Sequence, residues 1–331
     1  MILNKVREFK SKSQIDLSYG KIEELLKNIF GNREKLISAT VTSEGDVNSC
    51  YILKTSSVEE RIFLKVENEG IPKFYDGQIA KEVAASNILG QHNIPTAKVL
   101  AHEIVKKKFE YRFILMEFVE GNVLSKIWNS LDREQKVDVK TSCVHLIEKF
   151  KKIPSDFFGD IYECGHFGKH FNWKGAFNSI SEVAVKDCEN MESLSKNDAS
   201  LIRDAITKCS DTLRNYKDAC FNHMDLHWNN IIVLQGPNGN VSFRAVLDFG
   251  SSIFGPCFSD EIRINKGFLY MTEKFYDDKF KISEKITPEE IFSSELLSFL
   301  DYFVFLTLIG DYENEKANLL GMCKIFLSRT K

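Results

Sequence analysis

The sequence reads His223-Met224-Asp225-Leu226-His227-Trp228-Asn229-Asn230, and it reaches Asp248-Phe249-Gly250 eighteen residues after Asn230. Between the two stretches, residues 231–247 contain an apolar run, a group of turn-forming residues and a second strand-like run. This is the pattern of a β-hairpin. A hairpin brings its ends together, so Asp248 is expected beside Asn230. This part of the chain therefore predicts one centre that combines two carboxylates and a carboxamide.

Phosphoryl transfer requires that set of groups. One carboxylate orients the attacking hydroxyl and accepts its proton, while a carboxamide and a second carboxylate hold Mg²⁺ against the nucleotide phosphates. Each motif is weak by itself, but their order and the hairpin between them favour function over a chance match. We therefore expect a kinase-type active centre in which Asp225 is catalytic and Asn230 and Asp248 bind Mg²⁺.

Composition excludes several other classes of protein. A length of 331 residues with 43% hydrophobic and 27% charged residues suits an ordinary globular enzyme with two packed lobes. The net charge of -3 argues against nucleic acid as a partner. No apolar run approaches the ~20 residues of a membrane span, and the N-terminus lacks a signal peptide pattern. We therefore expect a cytoplasmic protein without a membrane partner, whose eight cysteines are reduced and lack zinc-site spacing.

The expected fold class is α+β with two lobes. Residues 1 to about 30 predict a leading helical segment, and strand-like patterns recur over residues 36–118 with one helix over 77–89 among them. The remainder is mostly helical apart from the catalytic loop and its hairpin. We expect an N-terminal nucleotide-binding lobe over residues 1–120, built on an antiparallel sheet, and a larger, mainly helical C-terminal lobe over residues 121–331.

Lys65 is the candidate ligand for the nucleotide phosphates. It lies on an alternating strand twenty residues after Gly45, and the buried charge of a lysine there would offset the phosphate charge. Glu82, on the following helix, would hold Lys65 by an ion pair. The turn that contains Gly45 and Asn48 would cover the phosphates, although a single glycine leaves few backbone N–H groups exposed.

The stretch Met116 to Gly121 predicts the hinge between the lobes. An adenine ring pairs with backbone N–H and C=O groups at such a position, and we expect the backbones of Glu117 and Val119 to supply them. Met116 would line the back of the base pocket. These residues complete the predicted nucleotide site.

Several residues near the motifs have two interpretations. Asp260 is either a third carboxylate of the metal site or a structural group that binds the backbone of the catalytic loop, and we favour the structural role. The position of His223 before Asp225 suits a side chain that holds the loop in place. His227 and Trp228 face either the crevice or the core, and the sequence does not distinguish the two.

Together, these features resemble the aminoglycoside phosphotransferase and choline kinase-like small-molecule kinases, a branch of the protein-kinase-like fold. The resemblance extends from about residue 36 to beyond residue 300. The stretches that carry it are Gly45 to Asn48, Lys65, Glu82, 94–96, 115–121, 223–230 and 248–260. It implies a bilobal protein-kinase-like fold, ATP or GTP with Mg²⁺ as cofactors, and a small-molecule hydroxyl substrate. It also implies that Phe158-Gly159-Asp160, Trp173 and Phe177 help to shape the substrate crevice.

The sequence departs from this family pattern at two points. Met224 stands where the family has a small glycine, and Asp248-Phe249-Gly250 is closer to the form found in protein kinases. A protein kinase remains an alternative, weakened by the lack of an Arg between His223 and Asp225, of an A-P-E motif and of a long activation segment. An inactive nucleotide-binding protein of the same fold is a further alternative.

The acceptor class stays open at this level. An aminoglycoside or related antibiotic, which would make the protein a resistance enzyme, needs an acidic crevice. The acidic candidates are Asp260, Glu261, Glu273, Asp277, Asp278, Glu289, Glu290, Asp301, Asp311 and Glu313, but lysines are interleaved with them. A choline, homoserine or sugar kinase is the alternative. The aromatic candidates for an apolar or cation-binding pocket are Phe254, Phe258, Phe268, Tyr270, Phe275, Tyr276, Tyr302, Phe303 and Phe305.

Overall fold

The computed structural model describes residues 3–5, 16–42, 47–56, 60–163, 165–236, 240–269 and 286–329, with side chains from 16 to 264 and from 286 onward within those ranges. In chain order, its N-terminal elements are β1 (Leu3–Lys5), α1 (Tyr19–Phe30), β2 (Leu36–Val41), β3 (Asn48–Thr55), β4 (Ile62–Glu67), α2 (Gln78–Gln91), β5 (Val99–Glu103) and β6 (Phe113–Glu117). The strands form a six-stranded sheet in the order β1-β2-β3-β4-β6-β5. Every pairing from β2 to β5 is antiparallel, which confirms the expected sheet.

Helix α1 covers this sheet with one apolar side. Its Ile22, Leu25 and Leu26 are buried together with residues of β2, β3 and β4. The helix begins where the side chain of Ser18 accepts a hydrogen bond from the N–H of Lys21. The leading helical segment predicted from residue 1 is therefore wrong at its start, because β1 is a strand that pairs in parallel with β2.

Helix α2 is buried on two sides. Ile79 and Val83 pack against β6 in a small cluster with Ile114 and Met116. Ala85 and Leu89, on the other side, belong to the core of the C-terminal part of the chain. The helix therefore lies between the sheet and the rest of the molecule, in contact with both.

The remaining elements make up the C-terminal part. They are β7 (Asn122–Val123), α3 (Leu124–Ile127), α4 (Arg133–Phe150), β8 (Pro154–Ser155), β9 (Phe158–Asp160), β10 (Lys169–His170), α5 (Trp173–Asn190), α6 (Lys196–Thr212), β11 (Ala219–Asn222), β12 (Ile231–Gln235), β13 (Val241–Val246), β14 (Ile253–Gly255), α7 (Ser259–Leu269), α8 (Pro288–Ile309) and α9 (Glu313–Arg329). The α+β class, with an antiparallel sheet followed by a mainly helical part, is confirmed. The lobe boundary at residue 120 stays a prediction.

A second sheet in the C-terminal part was not predicted. Its order is β10-β9-β14-β11-β8, and its strands are only two to four residues long. Strands of that length are too short to show the alternation by which a strand is recognised in a sequence. Strand β11 of this sheet ends at Asn222, directly before the predicted catalytic loop, which begins at His223.

The predicted crevice residues around Phe158 are core residues instead. Phe158, Trp173 and Phe177 are buried in the C-terminal hydrophobic core, so the expectation that they shape the substrate crevice was wrong. The described cysteines are free thiols, and all of them except Cys257 are buried, as expected for thiols that serve packing.

Among the described residues, helix α8 is long and apolar enough to cross a membrane by length and composition alone. The expectation that no apolar run approaches that length was therefore wrong for this segment. More than half of its most apolar window is buried inside the protein. Its Glu290 is fully buried, pairs with Arg214 at 3.2 Å and accepts a hydrogen bond from Tyr216. A core helix of a globular protein passes the same test of composition.

Candidate active site

The predicted hairpin is formed by β12 and β13. The two strands pair antiparallel, with Ile231 opposite Val246. Beyond that pair, the N–H of Leu247 donates to the carbonyl of Asn230 at 2.9 Å. The hairpin therefore brings Asp248 next to Asn230, as expected. Asp248 has a positive φ of 63°, a conformation that non-glycine residues rarely adopt and that is concentrated at functional sites.

The predicted site residues that the structure describes all line one cavity of about 1040 Å³ between the sheet and the C-terminal part. These residues are Asn48, Lys65, Glu82, Met116, Glu117, Val119, Asp225, Asn230 and Asp248. Gly45, the remaining one, lies outside the described residues. The fold thus gathers positions that are more than 180 residues apart in the chain.

Lys65 is held between two carboxylates. Its Nζ lies 2.8 Å from Glu82 and 2.7 Å from Asp248, and both Lys65 and Glu82 are nearly inaccessible to solvent. Burial alone would lower the pKa of Lys65, but the charges of Asp248 and Glu82 more than offset it and raise that pKa. Lys65 therefore carries a positive charge at neutral pH, and the predicted contact with Glu82 is present.

Asp225 is ionised at neutral pH. Burial acts to raise its pKa, but the neighbouring His227, whose Nε2 lies 3.4 Å from a carboxylate oxygen, helps lower that pKa to about 2. The side-chain amide of Asn230 donates to the Asp225 carbonyl at 2.9 Å and to its carboxylate at 3.1 Å. The carboxylate is thus oriented from two sides, and the amide oxygen of Asn230 remains to face a cation.

Two buried side chains, those of Asp260 and His223, hold the predicted catalytic loop in place. Asp260 accepts hydrogen bonds from the backbone N–H groups of His223 at 2.7 Å and Met224 at 3.0 Å. The His223 ring binds the Leu247 carbonyl at 3.0 Å and is completely buried, and this burial lowers its pKa. The structural roles favoured for Asp260 and His223 are confirmed.

His227 and Trp228 both line the cavity, and Trp228 is also part of the core. Trp228 is buried against Trp128, with ring centroids 6.2 Å apart. His227 lines the cavity beside Asp225.

The residue between His223 and Asp225 adopts a left-handed conformation. Met224 has φ of 66° and is 4% exposed. Glycine takes this conformation without cost, whereas other residues are strained by about 1–2 kcal/mol. Arg263 donates to the Met224 carbonyl, which helps to hold the strained loop. The side chain that replaces the family glycine therefore packs into the core.

Asn48 interacts with a residue that the sequence did not single out. Its side-chain nitrogen donates to the Gln78 side chain at 2.8 Å. Gln78 in turn packs on Gly250, where an added Cβ would lie 3.0 Å from Gln78. The Asn48 amide nitrogen is thus engaged by helix α2.

The other end of the cavity contains residues that sequence reasoning missed. The Tyr75 hydroxyl donates to a side-chain oxygen of Asp301 at 2.9 Å, and Arg263 lies 3.6 Å from the other oxygen. Burial is the main cause that raises the pKa of Asp301 to about 6. Of the acidic and aromatic candidates with described side chains, Asp301, Tyr302 and Phe305 line the cavity. The candidates between residues 268 and 278 lie outside the described side chains. Nothing local in the sequence marks Tyr75 or Arg263.

The hinge offers fewer free groups than predicted. The N–H of Glu117 donates to the Lys98 carbonyl at 2.9 Å, and the N–H of Phe118 donates to the Arg61 carbonyl at 3.0 Å. The Glu117 N–H is therefore already engaged and is not available to a base. Met116 is 5% exposed and lines the cavity.

The donor set fits a magnesium ion that is held largely by phosphates and water. Asp248 offers the carboxylate oxygen that Lys65 does not contact, and Asn230 offers its amide oxygen. Within the described part of the chain, no group of three or more His, Cys, Asp or Glu side chains is arranged to hold a metal ion. Mg²⁺ usually takes one or two protein ligands together with substrate phosphates, so two oxygens suffice.

Comparison with known proteins gives a family match over most of the chain. The family model described as APH, phosphotransferase enzyme family, matches residues 39–262. The fold is similar to a thermostable mutant of aminoglycoside phosphotransferase APH(4)-Ia in ternary complex with ADP and hygromycin B. That match has 14% identity, covers 93% of this chain and 98% of the other, and has a TM-score of 0.59.

Two further similarities are informative. A putative fructosamine-3-kinase from Haemophilus somnus 129PT is 13% identical, with 92% of this chain and 96% of the other covered and a TM-score of 0.63. The protein named altered inheritance of mitochondria protein 9, mitochondrial, from Debaryomyces hansenii is 31% identical over 170 residues, which are 46% of this chain and 26% of the relative. This chain spans about a quarter of the length of that curated relative.

Proposed function

The chain belongs to the APH phosphotransferase enzyme family, and on that premise we propose that it transfers the γ-phosphoryl group of ATP to a hydroxyl group of a small molecule. The family resemblance and the bilobal protein-kinase-like fold inferred from the sequence are confirmed. The observation that carries the proposal is the convergence of Asp225, Asn230, Asp248 and the Lys65–Glu82 pair on one cavity.

In this proposal, Asp225 is the catalytic residue. Its low pKa keeps it ionised, so it accepts a hydrogen bond from the acceptor hydroxyl and orients the oxygen towards the phosphorus atom. The proton moves to Asp225 late, as the new bond forms, because the transition state of phosphoryl transfer is loose. Orientation and charge therefore contribute more than the basicity of Asp225.

The nucleotide would lie against the sheet. The Glu117 carbonyl and the Val119 N–H would pair with the base, Met116 would contact its back edge, and Lys65 would bind the phosphates that are not transferred. Asn230 and Asp248 would hold Mg²⁺, which neutralises phosphate charge when bound. Adenine is our choice of base, and guanine is the alternative, because structures of similar fold include one aminoglycoside phosphotransferase in complex with ADP and another in complex with GDP.

A small acceptor fits the region after Asp248 better than a protein substrate does. Only residues 249–258 separate Asp248 from helix α7, and this short segment includes β14, which is a strand of the second sheet. A peptide-docking platform has little room there. The acceptor would instead lie between Asp225 and the Tyr75, Asp301 and Arg263 group, with the rings of Tyr302 and Phe305 beside it.

Two classes of acceptor molecule are compatible with this proposal. An aminoglycoside or related antibiotic, and with it a role in antibiotic resistance, is one option, and a choline, homoserine or sugar type of metabolite is the other. A cytoplasmic location is likewise proposed from composition alone.

The test is an assay of Mg²⁺-dependent ATP consumption against a panel of hydroxyl compounds, with Asp225→Ala as the matched blank. The panel contains aminoglycosides, macrolides, choline, ethanolamine, homoserine and sugars, and GTP is run in parallel. A hit that disappears in the variant supports the proposal and identifies the acceptor class. Absence of nucleotide binding by calorimetry would contradict it, and phosphorylation of a protein mixture alone would favour a protein kinase.

A further inference from the structure

Helix α2 presents two adjacent charged residues to different partners. Glu82 contacts Lys65 on the sheet side, as described above. Lys81, one position earlier, places its Nζ 2.9 Å from Asp160 on β9 and 3.8 Å from the centre of the Phe167 ring. The side chains of Lys81 and Asp160 are 2% and 1% exposed. A buried ion pair thus joins the helix that carries Glu82 to the second sheet.

The Asp160 carboxylate is itself rigidly held. One of its oxygens accepts hydrogen bonds from the N–H groups of Phe167 at 2.6 Å and Gly168 at 3.1 Å. Gly165 lies so close that an added Cβ would sit 2.1 Å from the carboxylate. The loop after β9 is therefore built around this charge, and the position of Lys81 is determined by it.

The second sheet connects Asp160 to the catalytic loop. Asp160 pairs with Ile253 of β14, and Ile253 pairs with Asn222 of β11. Asn222 directly precedes His223, where the catalytic loop begins. Two strand pairings thus separate the anchor of helix α2 from the loop that carries Asp225.

Three further contacts join the same stretch of chain to the C-terminal part. The N–H of Phe74 donates to the Asp187 carboxylate at 2.7 Å. The Tyr75 hydroxyl donates to Asp301, and Gln78 packs on Gly250. Residues 74–82 are therefore attached to the C-terminal part at several points, with Lys81 and Asp160 as the most buried charged pair.

We propose that Lys81 and Asp160 are positioning residues that hold helix α2 in the place where Glu82 keeps Lys65 directed at the nucleotide phosphates and beside Asp248. This inference rests on the proposed function of Lys65. The ion pair assembles the phosphate-binding end of the cavity before a nucleotide arrives. Removal of one partner leaves an uncompensated buried charge, which releases the helix on the side that faces the second sheet.

The test measures how fast an acyl-phosphate derivative of ATP acylates Lys65, with the modified peptide quantified by mass spectrometry. This readout requires nucleotide binding and a correctly placed lysine but no acceptor. The variants are Lys81→Met and the milder Asp160→Asn. The matched control is Arg203→Met, because Arg203 joins α5 to α6 through Glu182 and Glu189, outside the cavity. Rates are compared at equal folded fraction, measured by circular dichroism.

Compared with the unaltered protein, we expect acylation of Lys65 to be slower by about tenfold or more in Lys81→Met and in Asp160→Asn. In Arg203→Met, the rate should change by less than about twofold. If Lys81→Met does not fold, Asp160→Asn decides the question. Unchanged acylation in the folded variants would overturn the positioning role. Lack of acylation at Lys65 in the unaltered protein would instead contradict the proposed function, and the inference with it.

A double-variant comparison separates positioning from a general loss of stability. Glu82→Gln should slow acylation in the unaltered background but add less than about twofold in the Lys81→Met or Asp160→Asn background, because those residues act through Glu82. If the rate reduction in the double variant equals the product of the two single-variant reductions, the ion pair and Glu82 act independently, and the inference is overturned.

Discussion

The two ends of the cavity differ in how their charges are arranged. At the nucleotide end, the cation of Lys65 lies between Glu82 and Asp248. At the acceptor end, Asp301 accepts a hydrogen bond from Tyr75 and lies 3.6 Å from the Arg263 cation, and burial raises its pKa to about 6. The first end thus has a buried cation between two carboxylates, whereas the second has a carboxylate whose ionisation is costly. In the proposed function, the first end binds the nucleotide phosphates, and the second is where selectivity for an acceptor would reside.

The largest loss of activity is expected from a substitution of Asp225, where the two ends of the cavity meet. Asp225→Ala should lower kcat by roughly two to four orders of magnitude, because the acceptor hydroxyl loses both its orienting group and its base. Nucleotide binding, measured by calorimetry, should stay close to that of the unaltered protein. Residual activity above a few per cent would show that Asp225 is not the catalytic residue.

The next largest effect concerns the nucleotide end. Asp248→Ala should lower kcat by roughly 10²-fold, because one charged group at the phosphates is lost, and it should shift the Mg²⁺ titration of activity to higher concentration. Asp260→Asn serves as the comparison, since Asp260 binds backbone rather than metal in our assignment. An unchanged Mg²⁺ titration in Asp248→Ala would remove Asp248 from the metal site.

A substitution at the acceptor end should change the free energy of unfolding rather than nucleotide binding. The pKa of Asp301 is higher in the folded protein than its ordinary value, so the folded state binds more protons and ionisation of Asp301 destabilises it as pH rises from about 4 to 6. Asp301→Asn removes this dependence. Its stability relative to the unaltered protein should therefore improve by about 1–3 kcal/mol between pH 4 and pH 7.

Urea unfolding at the two pH values measures that difference. Glu120→Gln, which alters an exposed carboxylate near the hinge, is the control, and its stability difference from the unaltered protein should change little between the two pH values. An equal pH profile for Asp301→Asn and the unaltered protein would contradict the raised pKa of Asp301.

The smallest effect is expected from a charged pair outside the interior. Arg61 and Glu120 form an exposed ion pair near the hinge, at 2.6 Å. Arg61→Met should change the free energy of unfolding by less than about 1 kcal/mol and leave the KM for nucleotide nearly constant. A large rise in KM would show that the hinge surface, and not only the buried Lys65–Glu82 pair, determines nucleotide affinity.

The predicted site residues that the structure brings together share one property. Asp225, Asn230 and Asp248 are connected by a loop and a hairpin, and short-range patterns determine both. Lys65 and Glu82 follow from a strand and the helix after it. The predicted contacts among these residues needed only the assumption that neighbouring elements pack together. The functional roles themselves remain to be tested by the experiments above.

The errors concern elements with no local signal. The second sheet has strands of two to four residues, and Phe158, Trp173 and Phe177 look alike in sequence whether they line a crevice or a core. Residues such as Tyr75, Gln78 and Arg263 carry no motif, and they become site residues only because the chain folds back on itself.

The sequence by itself determined the groups on which the proposed chemistry rests, because groups that share a loop or a hairpin have their spacing determined by local backbone geometry. The identity of the acceptor pocket, the Lys81–Asp160 pair and the strained Met224 arise only in the folded molecule. Each depends on groups that are distant in the chain and that the fold brings together. The charges and backbone conformations of these residues affect the site because the residues are buried, and burial depends on the whole fold.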